Sequence, residues 1–156
     1  MQVAHLLRKY NPSEWGGTET AVKRLLDGLR SHGVTSTVFS PALDRPPLID
    51  PLERDGVPVK HFKAFVPVWG IPKSQRQQLI SVGGNLMSFD LLPRLLKERF
   101  SVMHTHAGNR LGGIALTAAK LKRVPLVASI HGGVLDLPAK TREYLRQPLK
   151  GGVEWG

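Results

Sequence analysis

The fold is decided by three consecutive stretches near the N-terminus: VAHLL at residues 3–7, GGTETAVKRLLDGLRSHG at residues 16–33 and TSTVFS at residues 35–40. The first is a short apolar run typical of a buried parallel strand, and the third is rich in β-branched residues. The second carries apolar residues at helical spacing and ends in glycine. A strand, a helix and a strand in this order predict a right-handed βαβ unit.

The helix of this unit is predicted to begin just after a glycine pair. We expect Thr18 to cap it and Glu19 to lie in the first turn, where the helix dipole favours an acidic residue. Its apolar stripe consists of Val22, Leu25, Leu26 and Leu29.

The rest of the chain continues this alternation. Further strands are predicted at Val57–Phe65, Ser101–His106 and Pro125–Ile130, and helices at Asn85–Phe100, Arg110–Arg123 and near Lys140–Arg146. We interpret Pro41–Pro58 as a loop and Val66–Gly84 as irregular, and we expect Pro93 to kink or split its helix. Together these elements predict an α/β domain with a Rossmann-like parallel sheet and helices on both faces.

Length and composition set limits on the class of protein. The 156 residues suffice for one such domain, and because no strand is predicted after residue 134 we expect a single lobe that is cut short. The chain has no cysteine, which excludes disulfides and cysteine-ligated metals. It shows neither a signal peptide nor a membrane span, so we expect a cytoplasmic protein. Its net charge of +10 favours anionic partners.

Three loops follow predicted strands, at residues 11–18, 106–110 and 131–133. In an open parallel sheet, ligands bind beyond the carboxyl ends of the strands, so these loops predict a site. The Gly16-Gly17 pair precedes a helix N-terminus that suits a phosphate, although a plain tight turn explains the same pair. The chain has no GxGxxG turn and no P-loop, which argues against a dehydrogenase and a P-loop enzyme.

The histidines near these loops allow several interpretations. His104 and His106 are two residues apart on a predicted strand, and such a pair can bind a metal. No third ligand is evident nearby, so we expect hydrogen-bonded packing and no metal. His106, at the end of the strand, is the better candidate for a ligand contact. His131 follows a buried strand and either closes a turn or offers a neutral donor or acceptor to a ligand.

Three stretches in register resemble the N-terminal domain of the family-4 retaining glycosyltransferases of the GT-B fold. They are NPSEWGGTE at residues 11–19, VMHTHAG at residues 102–108 and VPLVASIHG at residues 124–132. The resemblance extends from Met1 to about Leu145. It implies one lobe of a two-lobed enzyme, in which this lobe binds the acceptor and a C-terminal lobe, absent from this chain, holds most of the nucleotide-sugar donor.

The same resemblance implies roles for particular residues. Gly16 and Gly17 would lie beside the donor diphosphate, and His131 would be the catalytic residue beside the transferred sugar. His106, Asn109 and Arg110 would face a carbohydrate or lipid-linked acceptor. The resemblance implies transfer that retains the anomeric configuration and needs no metal cofactor. The leaving phosphate could take the acceptor proton, so no strong protein base would be required.

A non-catalytic basic α/β module that binds a polyanion or an anionic membrane remains the alternative. The basic residues are not interleaved with aromatic ones, so we expect no nucleic-acid partner. Peripheral contact with the inner face of a membrane is compatible with either function. The candidate surface comprises Lys73, Arg76, Arg94, Lys97 and Arg99 with Trp69, Leu86 and Phe89.

Overall fold

The structure is a computed structural model that describes residues 1–13, 15–43, 49–68, 70, 72–81 and 86–131. Strands and helices alternate along the chain, which confirms the predicted α/β class. The elements are β1 Gln2–Leu6, α1 Gly17–Ser31, β2 Thr35–Pro41, α2 Pro51–Arg54, β3 Val59–Phe62, α3 Lys73–Ser81, α4 Leu91–Lys97, β4 Val102–Thr105, α5 Asn109–Lys122 and β5 Leu126–Ala128. The predicted helix near Lys140–Arg146 lies outside the described residues.

The five strands form one parallel sheet in the order β3-β2-β1-β4-β5. The chain builds outward from β1 to β3 and then crosses back to place β4 on the other side of β1. The sheet is parallel and Rossmann-like, as predicted, and its strand order places the topological switch point between β1 and β4.

Residues of the sheet contribute to two separate cores. Ala4 and Met103 belong to the larger core, which α4 and α5 cover, whereas Leu7 and Val38 belong to a smaller core under α1 and α2. Successive side chains of a strand point to opposite faces, so the two cores lie on the two sides of the sheet. Helices on both faces were predicted, and the structure confirms them.

The beginning of α1 corrects one prediction. Gly16, not Thr18, is the residue that precedes the helix, so Thr18 lies inside the first turn. The amide of Gly16 donates a hydrogen bond of 3.1 Å to Oε2 of Glu19, and this carboxylate satisfies the helix N-terminus in place of a threonine hydroxyl. The predicted end is confirmed, because Gly33 adopts the left-handed conformation with φ of 70°.

Two helices occupy segments that were predicted to be loop or irregular. Helix α2 lies within Pro41–Pro58, and it begins where the Asp50 carboxylate accepts the amide of Leu52 at 2.8 Å. Helix α3 lies within Val66–Gly84, and of its residues up to Ile80 only Leu79 and Ile80 pack on the core. With so few apolar residues, the segment carries no helical periodicity that a sequence-based prediction could use.

Pro93 neither kinks nor splits a helix, contrary to the prediction. Helix α4 is shorter than predicted, and Pro93 is the third residue of its first turn. An amide there has no acceptor within the helix, so proline removes no hydrogen bond. None of the described helices combines the length and apolar character that spanning a bilayer requires.

Candidate functional site

The site lies at the topological switch point, where two histidines face each other across neighbouring strands. His5 of β1 pairs in register with His104 of β4, and their ring centroids are 5.3 Å apart. Both side chains point to the α1 side of the sheet, since Ala4 and Met103, their neighbours in sequence, enter the core on the other side. The pairing of β1 with β4 therefore places these two side chains next to each other.

A chain of three imidazoles runs from the interior of the sheet toward its edge. Nε2 of His5 lies 3.3 Å from Oγ of Ser36 on β2, and Nδ1 of His5 lies 3.4 Å from Nε2 of His106. Nδ1 of His106 then lies 2.7 Å from Nε2 of His131. Ser36 belongs to β2 and His5 to β1, while His106 follows β4 and His131 follows β5. The contacts therefore connect four strands of the sheet.

His104 flanks this chain. Its ring lies against that of His106 with a centroid distance of 4.1 Å, and its Nε2 lies 2.8 Å from Oγ of Ser129. Four of the six histidines of the protein thus meet in one cluster, which we call the histidine cluster: His5, His104, His106 and His131.

Burial keeps the interior of the histidine cluster uncharged at neutral pH. It lowers the pKa of His5 to about 4, with a smaller contribution from His104. It lowers the pKa of His106 to about 3, with further contributions from the other three histidines. The pKa of His104 is also lowered, first by burial and then by His131. A charged imidazole is disfavoured there because it loses water and has no carboxylate partner within the cluster.

Neutral imidazoles linked end to end must all donate in the same direction, because each has one N–H and one bare nitrogen. If the Ser36 hydroxyl donates, His131 accepts at Nε2 and carries its proton on the outer Nδ1. If His131 donates through Nε2, the proton of each ring shifts and Ser36 accepts at the far end. The buried chain therefore determines whether exposed His131 presents a donor or an acceptor to a ligand.

The Gly16-Gly17 loop at the start of α1 is the second part of the predicted site. The Gly16 amide is engaged by Glu19, whose Oε1 is buried without a hydrogen-bond partner. A Cβ at Gly17 would meet no atom within 4 Å, so this residue borders open space. Because the Gly16 amide already donates to Glu19, the free amides of the first helical turn begin at Gly17.

The third part is the loop after β4. Asn109, the first residue of α5, adopts a left-handed conformation with φ of 53°, which is uncommon for residues other than glycine. Asn109 and Arg110 are both exposed. His106, in contrast, is 6% exposed and has both ring nitrogens engaged by His5 and His131. Of the three predicted acceptor residues, it therefore reaches a ligand only through His131.

His5 is the site residue that sequence reasoning missed. It is a polar residue within an apolar strand, VAHLL, and it is completely buried. A buried polar side chain needs hydrogen-bond partners, and this requirement was the available signal. Its partners are 31 and 101 residues away in sequence, so the identity of the cluster depends on strand order, which the sequence pattern alone did not specify.

Comparison with protein families gives one match. The model of a family described as glycosyl transferase 4-like domain matches residues 16–153, which is most of the chain. A comparison with curated proteins finds no match. The matched range includes the Gly16-Gly17 loop, three members of the histidine cluster and the loop that carries Asn109.

Proposed function

The chain belongs to the glycosyl transferase 4-like domain family, and from this premise we propose that it is the acceptor-side lobe of a retaining glycosyltransferase. The transferase moves a sugar from a nucleotide-sugar donor to an acceptor hydroxyl, and a second lobe supplies most of the donor site. One structural observation carries the proposal: His131 lies at the end of β5, held by a buried imidazole chain at the switch point of the sheet.

We assign His131 to the transferred sugar. Its Nε2 contacts His106, so Nδ1, on the other side of the same ring, faces away from that contact, and the residue is exposed. At that nitrogen, the ring donates a hydrogen bond to, or accepts one from, a sugar hydroxyl. His106 and His5 act through His131, because they hold its ring in place and fix the position of its proton. They are positioning residues in this proposal.

The start of α1 serves the donor diphosphate. Helix N-termini stabilise anions through free amides and the helix dipole. Gly17 supplies an amide, and its missing side chain leaves the space that a phosphate needs. The Gly16 amide already donates to Glu19, so it is not a free donor for the phosphate. Because Gly16 has no side chain, it instead lets the phosphate come close to the backbone. The leaving phosphate takes the acceptor proton, which removes the need for a strong protein base.

The acceptor lies beside the loop after β4. Asn109 and Arg110 are exposed there and provide an amide and a guanidinium for hydroxyl or phosphate groups. The left-handed backbone of Asn109 supports this assignment, because strained conformations cluster at ligand sites. A carbohydrate or a lipid-linked sugar fits this chemistry.

A lipid-linked acceptor would require peripheral contact with a cytoplasmic membrane face. Phe89 is 77% exposed and lies 5.2 Å, between ring centroids, from Phe65, while Arg94 and Lys97 are exposed on the following helix. Leu86, included in this surface from the sequence, is buried in the core and does not contribute. Trp69 lies outside the described residues. Co-sedimentation with anionic and neutral vesicles, repeated with Phe89→Ser, tests this contact.

The proposed function is tested by titrating the chain with a panel of nucleotide sugars while the histidine ring signals are followed by NMR. We expect a matching nucleotide sugar to shift the signals of His131 and to leave those of His32 and His61 unchanged. His131→Ala should weaken binding, and His32→Ala should not. Binding that is indifferent to His131 but falls steeply with salt would favour the polyanion-binding alternative.

A further inference from the structure

Three histidines of the cluster converge on one point. Ring nitrogens of His5, His104 and His106, one from each residue, all lie within 4.8 Å of one another. His5 and His104 are paired by the β1–β4 ladder, and His106 directly follows β4. The sequence argument against a metal here was the lack of a third ligand. The structure provides that ligand from a strand about 100 residues away in sequence.

The separation of two of these nitrogens suits a tetrahedral metal, and the third lies within 4.8 Å of both. Nδ1 of His5 and Nε2 of His106 are 3.4 Å apart. Two nitrogens bound to one zinc ion, each at about 2.0–2.1 Å, would be separated by about 3.3 Å in a tetrahedral site. The observed separation is long for a hydrogen bond and close to this value.

In each of the three rings, one nitrogen has a partner of the kind that orients metal ligands. Nε2 of His5 contacts the Ser36 hydroxyl, Nε2 of His104 contacts the Ser129 hydroxyl, and Nδ1 of His106 contacts His131. Histidines that bind metals use such contacts to fix the ring and its proton. Hydrogen-bonded packing alone does not require that Nδ1 of His5 and Nε2 of His106 face each other with a third imidazole nitrogen within 4.8 Å of both.

We propose that His5, His104 and His106 bind a divalent transition metal of the zinc type, with water in the fourth position. Imidazole suits zinc, cobalt, nickel and copper ions, whereas magnesium and calcium prefer oxygen ligands. The site is distinct from the diphosphate loop, and its test does not depend on the proposed sugar transfer, because it measures metal binding and not activity.

A metal at this point would also fix the state of His131. When Nε2 of His106 binds the metal, the proton of that ring must lie on Nδ1, which then donates to Nε2 of His131. Neutral His131 would therefore carry its own proton on the outer Nδ1. Metal binding would select a donor, rather than an acceptor, at the residue assigned to the sugar; this consequence alone depends on the proposed function.

The experiment uses the purified chain without an affinity tag, after treatment with a chelator. Zinc and cobalt binding are measured by calorimetry, with magnesium as the negative control, and the visible spectrum of the cobalt form reports its coordination. We expect one equivalent of zinc and the intense bands of a four-coordinate cobalt site. Magnesium should give no binding.

Variants locate the metal. Ser129→Ala should weaken zinc binding by about 10-fold or more, as loss of a hydrogen bond to a ligand usually does. His104→Ala should weaken it further, while His32→Ala and His61→Ala should leave it within about 2-fold. Circular dichroism establishes that each variant is folded. The proposal is overturned if the unmodified chain binds no zinc, if cobalt is only six-coordinate, or if His32→Ala reduces binding as much as His104→Ala.

Discussion

Nδ1 of His106 lies 2.7 Å from Nε2 of His131, and this contact connects the buried centre of the sheet to an exposed residue at its carboxyl edge. His106 is in turn held by His5, and the backbone amide of His106 donates to the carbonyl of Leu6 at 2.8 Å. The position of His131 thus depends on the two central strands. The predictions below follow from this arrangement and from the loops around it.

Replacing His106 should destabilise the protein more than replacing His131. His106→Phe fills similar space but leaves the partner nitrogens of His5 and His131 without hydrogen bonds, and the buried one cannot turn to water. We expect a loss of about 2–4 kcal/mol in the free energy of unfolding. His131→Ala, at an exposed residue, should cost less than about 1 kcal/mol. Urea denaturation measures both, and equal losses would contradict the chain of contacts.

Mild acid should destabilise the metal-free protein. The pKa of His5 is about 4 and that of His106 about 3 in the folded state, against an ordinary value near 6.5 in the unfolded chain. The unfolded state therefore binds more protons below pH 6.5. Stability is present above that pH and is lost progressively as the pH falls through 6.5 toward the folded values.

Between pH 7 and pH 5 we expect the free energy of unfolding to fall by roughly 2–4 kcal/mol, measured in urea with a chelator present. This window lies above the ordinary pKa range of carboxylates, so it isolates the histidines. Between pH 7 and pH 8 the value should stay constant. Undiminished stability at pH 5 would show that the buried rings accept protons without cost.

Two adjacent glycines of α5 should respond in opposite ways to alanine. A Cβ at Gly112 would lie 2.6 Å from the carbonyl oxygen of Ala107, a backbone atom that cannot easily move, whereas a Cβ at Gly113 would meet nothing within 4 Å. Gly112→Ala should cost about 1–3 kcal/mol through this clash. Gly113→Ala should stabilise by up to about 1 kcal/mol through helix propensity. Thermal denaturation of the pair is the measurement, and stabilisation by both would contradict the close packing.

Asn109 should tolerate glycine better than alanine. Its φ of 53° suits glycine, tolerates asparagine and disfavours residues with an ordinary Cβ. We expect Asn109→Ala to destabilise by about 1 kcal/mol and Asn109→Gly to leave stability equal or higher. If Asn109→Gly is as stable as the unmodified chain but binds a sugar acceptor more weakly, the amide group contacts the acceptor. The reverse order of stabilities would contradict the left-handed conformation.

The sequence predicted the sheet well because its strands are short apolar runs separated by turn residues. VAHLL and TSTVFS became β1 and β2 within one or two residues of their predicted bounds. The helices without an apolar stripe were missed, and α3 is the clearest case, since most of its residues face away from the core. An apolar pattern in the sequence reflects the burial of side chains in the core. A helix that buries few side chains therefore shows little of this pattern.

The candidate site was predictable in its loops but not in its interior. Gly16, Gly17 and His131 were identified from their places after strands and from the family resemblance. His5 was not, because its partners lie on strands whose adjacency depends on the crossover of β4 past β1. Local sequence specifies which residues lie at strand ends, whereas the histidine cluster depends on which strands become neighbours.

The central claim is that this lobe takes part in holding a nucleotide sugar at the start of α1, and two glycines of that helix test it. Gly17 and Gly28 both have space for a Cβ, so alanine at either leaves the fold intact. The measurement is a titration of each variant with a panel of nucleotide sugars, followed through backbone amide signals in NMR. We predict that Gly17→Ala abolishes the shifts of the first turn of α1, because the methyl group blocks the phosphate, and that Gly28→Ala binds as the unmodified chain does. Equal binding by both variants, with shifts confined to the basic surface around Arg94 and Lys97, would contradict the claim.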